Sequence, residues 1–223
     1  MKKKRIVNRL RYAIVIIVII IAAAAYFRLQ KAEEVPEHYV AVVDGRFITK
    51  ADLDRFMTLF NSEADMPKFQ FLNDVVVPHS VLRLKAEALG IDATEDEVAL
   101  ALQLISSNAG LSGEEFLAAK EKDGVPRSFT LKIIKDRVII SKATPILIPG
   151  VNDINITDQM IGEFYAKNQN SIVHENGSII PLEQVKEHLM ITLKDLYRQM
   201  LIRNYVSNAA QQMQIEMFDV LYY

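Results

Sequence analysis

No cysteine occurs anywhere in the 223 residues. That absence excludes a disulfide, a thiolate nucleophile, a thiolate-held metal and a lipid-modified cysteine as membrane tether. The signatures of phosphate chemistry are missing too, since neither a P-loop nor a GxGxxG turn is present, so no nucleotide is expected as cofactor or fuel. Neither GxSxG nor HExxH occurs, and His38, His79, His174 and His188 stand at no metal-ligand spacing. Paired acids (Glu33-Glu34, Glu95-Asp96-Glu97, Glu114-Glu115) fall in a stalk or in first helical turns, where they complement the helix dipole. Basic charge is scarce beyond the start. Six of the 26 Lys and Arg lie in the first eleven residues, leaving the remainder at −8 with no stripe to neutralise phosphates. Nucleic acid is therefore not expected as a partner, and no residue is nominated as catalytic, cofactor-binding or metal-ligating.

What is present begins with a hydrophobic run. Residues 13–27, AIVIIVIIIAAAAYF, carry no charge, and the run extends to Leu10 and Leu29 if Arg11 and Arg28 snorkel. At ~1.5 Å per residue a helix over residues 10–29 crosses the ~30 Å hydrocarbon layer. The basic cluster before it predicts an N-terminus in the cytoplasm and residues 30–223 on the far side. A cleaved signal peptide is the alternative, because Ala23 and Ala25 satisfy the small-residue rule for a cut before Tyr26. The Ile/Val run flows into alanines without a breaker, which favours a retained anchor. Both readings export residues 30–223.

A polar stalk over residues 30–39 leads to YVAVVDGRFITKADLDRF. Two β-branched runs meeting at Asp44-Gly45 predict a hairpin. Thr49 and Asp52 resemble a capping box, Ile48 is placed to staple on Leu53, and Leu53, Phe56, Met57 and Phe60 form the buried face of the helix that follows. Residues 67–89 read as one helix ended by Gly90 and kinked or split at Pro78. Thr94 with Glu97, and Ser112 with Glu115, cap two more, which stop at Gly110 and Gly124. Val98, Ala101, Leu102 and Ile105 mark the apolar face of the first. Ser128 is expected to open a fifth helix, with Leu131, Ile134 and Val138 on one side, closed by Pro145. Thr157 caps a sixth, and Pro181 suits the first turn of a seventh that runs to about Gln212. The tail QIEMFDVLYY is strand-like and predicts pairing with the hairpin.

Several of these stretches resemble the chaperone region of the SurA/PpiD family of exported folding factors. They are VVDGRFITKADLDRF, LRLKAEALGIDATEDEVALAL, LSGEEFLAAKEKDGVPRSFTLKIIKDRVIISK and ITDQMIGEFYAKN, with PLEQVKEHLMITLKDLYRQML similar to the family's long C-terminal helix. The similarity spans roughly residues 40–215. It implies a mainly α fold: a helical core over residues 40–168 with a small N-terminal hairpin, and a C-terminal helix and tail over residues 181–223 packing on it. In most of that family a parvulin-type prolyl isomerase domain sits between the sixth and seventh helices. Here the interval Asn168–Ile180 is thirteen residues, too short to fold alone. The loop over residues 169–180 thus marks an absent module, and no catalytic residue carries over.

The resemblance implies a single-pass protein of the bacterial inner membrane whose periplasmic part holds unfolded or nascent exported polypeptides without ATP. The alternative is a structural or assembly subunit with one membrane-complex partner. Met190, Met200, Met213 and Met217 fall in the last helix and tail, where flexible thioethers suit a surface that accepts varied apolar segments. Met190, Leu193, Tyr197, Met200 and Phe164 are the candidate client- or partner-binding residues.

Overall fold

The computed structural model describes residues 39–60, 66–174 and 177–218. The expected membrane span at residues 10–29 lies outside them, and among the described residues no helix is long and apolar enough to cross a membrane. The chain is mainly helical, with one small three-stranded sheet.

Strands β1 (Tyr39–Val43) and β2 (Arg46–Thr49) form the hairpin expected at Asp44-Gly45. Both turn residues take positive φ, 48° and 78°, as a type I′ turn requires. Thr49 then caps α1 (Lys50–Leu59), its hydroxyl accepting from the Asp52 N–H at 3.0 Å. The other half of the expected box does not form, because the Asp52 carboxylate turns to Arg55 at 3.4 Å.

Pro78 does not split the helical run. A short α2 (Lys68–Phe71), a π-helical turn (Leu72–Val76) and α3 (Val77–Ala88) follow without a break. Pro78 has no N–H for the Asp74 carbonyl, and its ring crowds that carbonyl in a regular α-helix. The wider turn just before it, in which the Val77 N–H donates to the Leu72 carbonyl, absorbs the mismatch.

Both capping boxes at α4 (Glu95–Asn108) and α5 (Gly113–Lys122) are complete. Helices α3, α4 and α5 also end alike. The N–H groups of Ile91, Leu111 and Val125 reach back to the carbonyls of Ala86, Ser106 and Lys120 at 3.1, 2.9 and 2.9 Å. This wrap needs a left-handed residue just before, and Gly90, Gly110 and Gly124 supply it.

Helix α6 (Arg127–Leu147) departs from expectation at both ends. Pro126 occupies the N-cap, so Ser128 lies inside the first turn and caps nothing. Pro145 sits within the last turn and does not close the helix. The ring displaces only a bond to the Ser141 carbonyl, and Ser141 is exposed, so water can serve that group. The buried face differs too: Ile134 is buried, Leu131 and Val138 are half-buried, and Phe129, Ile133, Asp136, Ile139 and Ala143 carry most of the packing. Helices α3, α4 and α5 all pack on α6, so its buried arc is wider than one stripe.

Thr157 caps α7 (Asp158–Asn168), accepting from the Met160 N–H at 3.3 Å. The loop after it holds a 3₁₀ turn (Gln169–Ser171) and a single bridge between Val173 and Ile179, and none of its described residues is buried. Pro181 is the N-cap of α8 (Leu182–Ala210), one position earlier than expected, and the helix stops at Ala210, short of Gln212. Its 29 residues run for ~43 Å. Strand β3 (Ile215–Met217) then pairs antiparallel with β1, Val42 opposite Glu216, in the sheet order β2-β1-β3. The tail does return to the hairpin.

Packing has two centres. The main core joins the sheet (Val40, Ala41, Val43) to α1, α3 and α6, and takes Val206 and Ala209 from the end of α8. A smaller group, with Ala86, Ala93, Ile139 and Ala143, extends it along α3 and α6. A separate cluster of Ile156, Ile161, Leu189 and Leu193 joins α7 to the first half of α8.

Candidate protein-binding face

The long helix presents different sides to the two centres. Residues advance by ~100° along an α-helix, so Leu189, Met190, Leu193, Leu196, Tyr197 and Met200 share one flank, while Ile191, Val206 and Ala209 share roughly the opposite one. The first flank is covered by α7 as far as Leu193. Beyond it, every residue from Lys194 to Met200 is exposed. Leu196, Tyr197 and Met200 are 45%, 37% and 46% accessible, enough to leave an open apolar strip just over one turn long. On the opposite flank Val206 and Ala209 meet the main core, but Ile191 is uncovered at 53%.

This layout sorts the nominated residues. Leu193 is buried beneath α7 and offers no surface. Phe164 and Met190 are half-buried and pack against the same cluster. Tyr197 and Met200 alone among the five are exposed, and they stand together at i and i+3. Leu196 belongs with them and was not nominated, although its spacing from Leu193 and Met200 places it on their flank. The polar residues of the strip, Lys194, Asp195, Arg198 and Gln199, are also exposed, with Asp195 and Arg198 within 3.7 Å. A second apolar pair, Leu100 and Leu104, faces out from α4 at 58% and 60% accessibility. The expected inner face of α4 (Val98, Ala101, Leu102, Ile105) is half-buried throughout.

A cavity of about 170 Å³ with a mixed polar and apolar lining lies where β2, α1, α3 and α6 meet. His79, Arg83, Lys132 and Asp136 line it, with Phe56 and Phe129 on its apolar side. Arg83 Nε donates to the Asp136 carboxylate at 2.7 Å, and both side chains are largely covered. Burial lowers the His79 imidazole to about 4, with Arg137, Lys132 and Arg83 acting the same way against the pull of Asp136. The ring sits edge-on to Phe56 at 5.3 Å between centroids. It is a neutral core histidine at pH 7.

No protein-family model matches the chain, and no curated protein matches it. Among the described residues no group of three His, Cys, Asp or Glu side chains is placed to hold a metal ion. The apolar strip on α8 is accordingly the feature on which a functional reading rests.

Proposed function

We propose that the chain is a membrane-anchored periplasmic holdase of the SurA/PpiD type, lacking the isomerase domain, which shields unfolded or newly exported polypeptides without ATP. The single observation that supports this reading is the flank of α8 that is buried at Leu189 and Leu193 and open at Leu196, Tyr197 and Met200. Covering three such half-exposed side chains yields about 1 kcal/mol each. Set against the cost of association, that is weak binding. Weak contact suits a holdase, which must let clients go by competition or folding. Tethering at the membrane would raise the local concentration of emerging chains and offset the weakness.

The rival reading is a fixed subunit of an inner-membrane complex. Its support is the Leu100/Leu104 pair on α4, whose i, i+4 spacing suits one helical partner. Light scattering from a chemically unfolded outer-membrane β-barrel protein separates the two. The full chain in lipid nanodiscs should slow aggregation, and the combined substitution Leu196→Ser, Tyr197→Ser and Met200→Ser should abolish most of the effect while leaving the circular dichroism unchanged. No slowing by the unsubstituted chain, together with one stoichiometric partner in a gentle-detergent pull-down, would establish the subunit reading instead.

A further inference from the structure

We propose that the outer edge of β3 is a second polypeptide-binding site, which receives an uncharged, extended apolar segment as a fourth strand of the sheet. It is distinct from the strip on α8 and does not rest on it.

The register determines which backbone groups are free. The Asp44 N–H donates to the Gln214 carbonyl at 2.7 Å, and the Phe218 N–H to the Val40 carbonyl at 2.9 Å. With Val42 opposite Glu216, residues 214, 216 and 218 turn their amides and carbonyls toward β1. Ile215 and Met217 turn theirs the other way. Because β3 is the last strand in the order β2-β1-β3, these two N–H and two C=O groups have no strand partner, nor another partner among the described residues. An extended peptide is the ligand whose backbone repeats at the spacing they present.

The surroundings fit such an occupant. The edge opens into a groove of about 590 Å³, lined by Ile215 and Met217 and walled by Val77, Pro78, Val206 and Ala210. Those walls would receive alternate apolar side chains of the added strand. Two ionisable side chains line the groove, Asp74 and Arg203. Asp74 accepts from the Asn73 amide at 2.8 Å, which leaves its charge in place. The two charges are opposite in sign and neither is ion-paired among the described residues, so the groove carries no net charge and suits an uncharged apolar segment.

The test uses an octapeptide of alternating valine and threonine, amidated at its C-terminus and labelled at its N-terminus, with binding to the full chain read by fluorescence anisotropy. Met217→Pro removes an outward N–H and fills the edge with a ring, yet costs no bond to β1. It should weaken binding at least about tenfold. The triple serine variant of α8 should leave it unchanged, which keeps this result separate from the holdase test. A peptide N-methylated on the alternate residues that face β3 should lose binding to the same degree, and it decides the matter should Met217→Pro lower the Tm. Equal affinity for the plain and N-methylated peptides, or no binding by the unsubstituted chain, overturns the proposal. Binding that emerges only after removal of residues 219–223 overturns it as well, in favour of the chain's own tail as occupant.

Discussion

At the scale of single residues, the energetics concentrate where α3 meets α6. His79 is held neutral at about 4, whereas the same imidazole in an unfolded chain takes its proton near 6.5. Between those values the unfolded state binds more protons than the folded one, so stability is complete above roughly pH 6.5 and declines as the pH falls toward 4. The whole decline amounts to about 3 kcal/mol from this group. The Tm should therefore drop markedly from pH 7 to pH 5, and His79→Gln should flatten that part of the profile; an unchanged slope would show that other groups cause it. Asp136 illustrates a second residue-level effect. Its carboxylate receives the Arg83 Nε–H beneath the hairpin, and Arg83 is mostly covered. Asp136→Ala removes the Nε partner of a mostly covered guanidinium, leaving it only the exposed Glu87 at 3.5 Å, and should cost about 2 kcal/mol in urea unfolding. Adding Arg83→Met should recover part of that loss, since a covered pair is worth less than the penalty for breaking it.

At the scale of elements, what could be read in advance was whatever is decided locally. Thr49, Thr94, Ser112 and Thr157 each cap the helix expected of them because the cap and the N–H it serves lie within three residues. The Asp44-Gly45 turn and the strand-like tail were legible for similar reasons. Helix α6 was not, because its buried arc depends on three neighbours, and because Pro145 is tolerated only where the displaced Ser141 carbonyl meets water. The candidate site divides on the same principle. The stripe through Met190, Leu193, Tyr197 and Met200 is a helical repeat visible in the sequence, but where α7 stops covering it is a tertiary fact, so neither the burial of Leu193 nor the exposure of Leu196 could be read from it. The free edge of β3 was illegible altogether, since it needs the strand register. One element carries its own prediction. Gly162 lies inside α7 with open space where a Cβ would stand and without a positive φ. Gly162→Ala should stabilise α7 by about 0.5–1 kcal/mol, seen as slower amide exchange in that helix.

At the scale of the whole described fold, α8 is the beam between two packing centres that share no buried residue. Its exposed turns at Lys194–Met200 fall where neither centre reaches, so the open strip is a product of the architecture rather than of one unusual side chain. Such an arrangement predicts that the centres lose structure separately, because few contacts transmit the loss of one to the other. Leu193→Ala removes a buried side chain from the α7 cluster and should cost that cluster about 2–5 kcal/mol. Native-state hydrogen exchange is the appropriate measurement. Amides in α7 and the first half of α8 should lose protection, while those of β1 and α3, which share the main core with Val206, should keep theirs. Loss of protection everywhere at once would mean that the two centres fold as one unit, and α8 would then be a rigid brace. If the cluster does open alone, the stripe beneath α7 joins the open strip, and Leu189 and Leu193 enlarge the apolar surface that a client can reach. A variant less stable at α7 should then bind unfolded chains more tightly, an ordering opposite to that expected of a rigid scaffold.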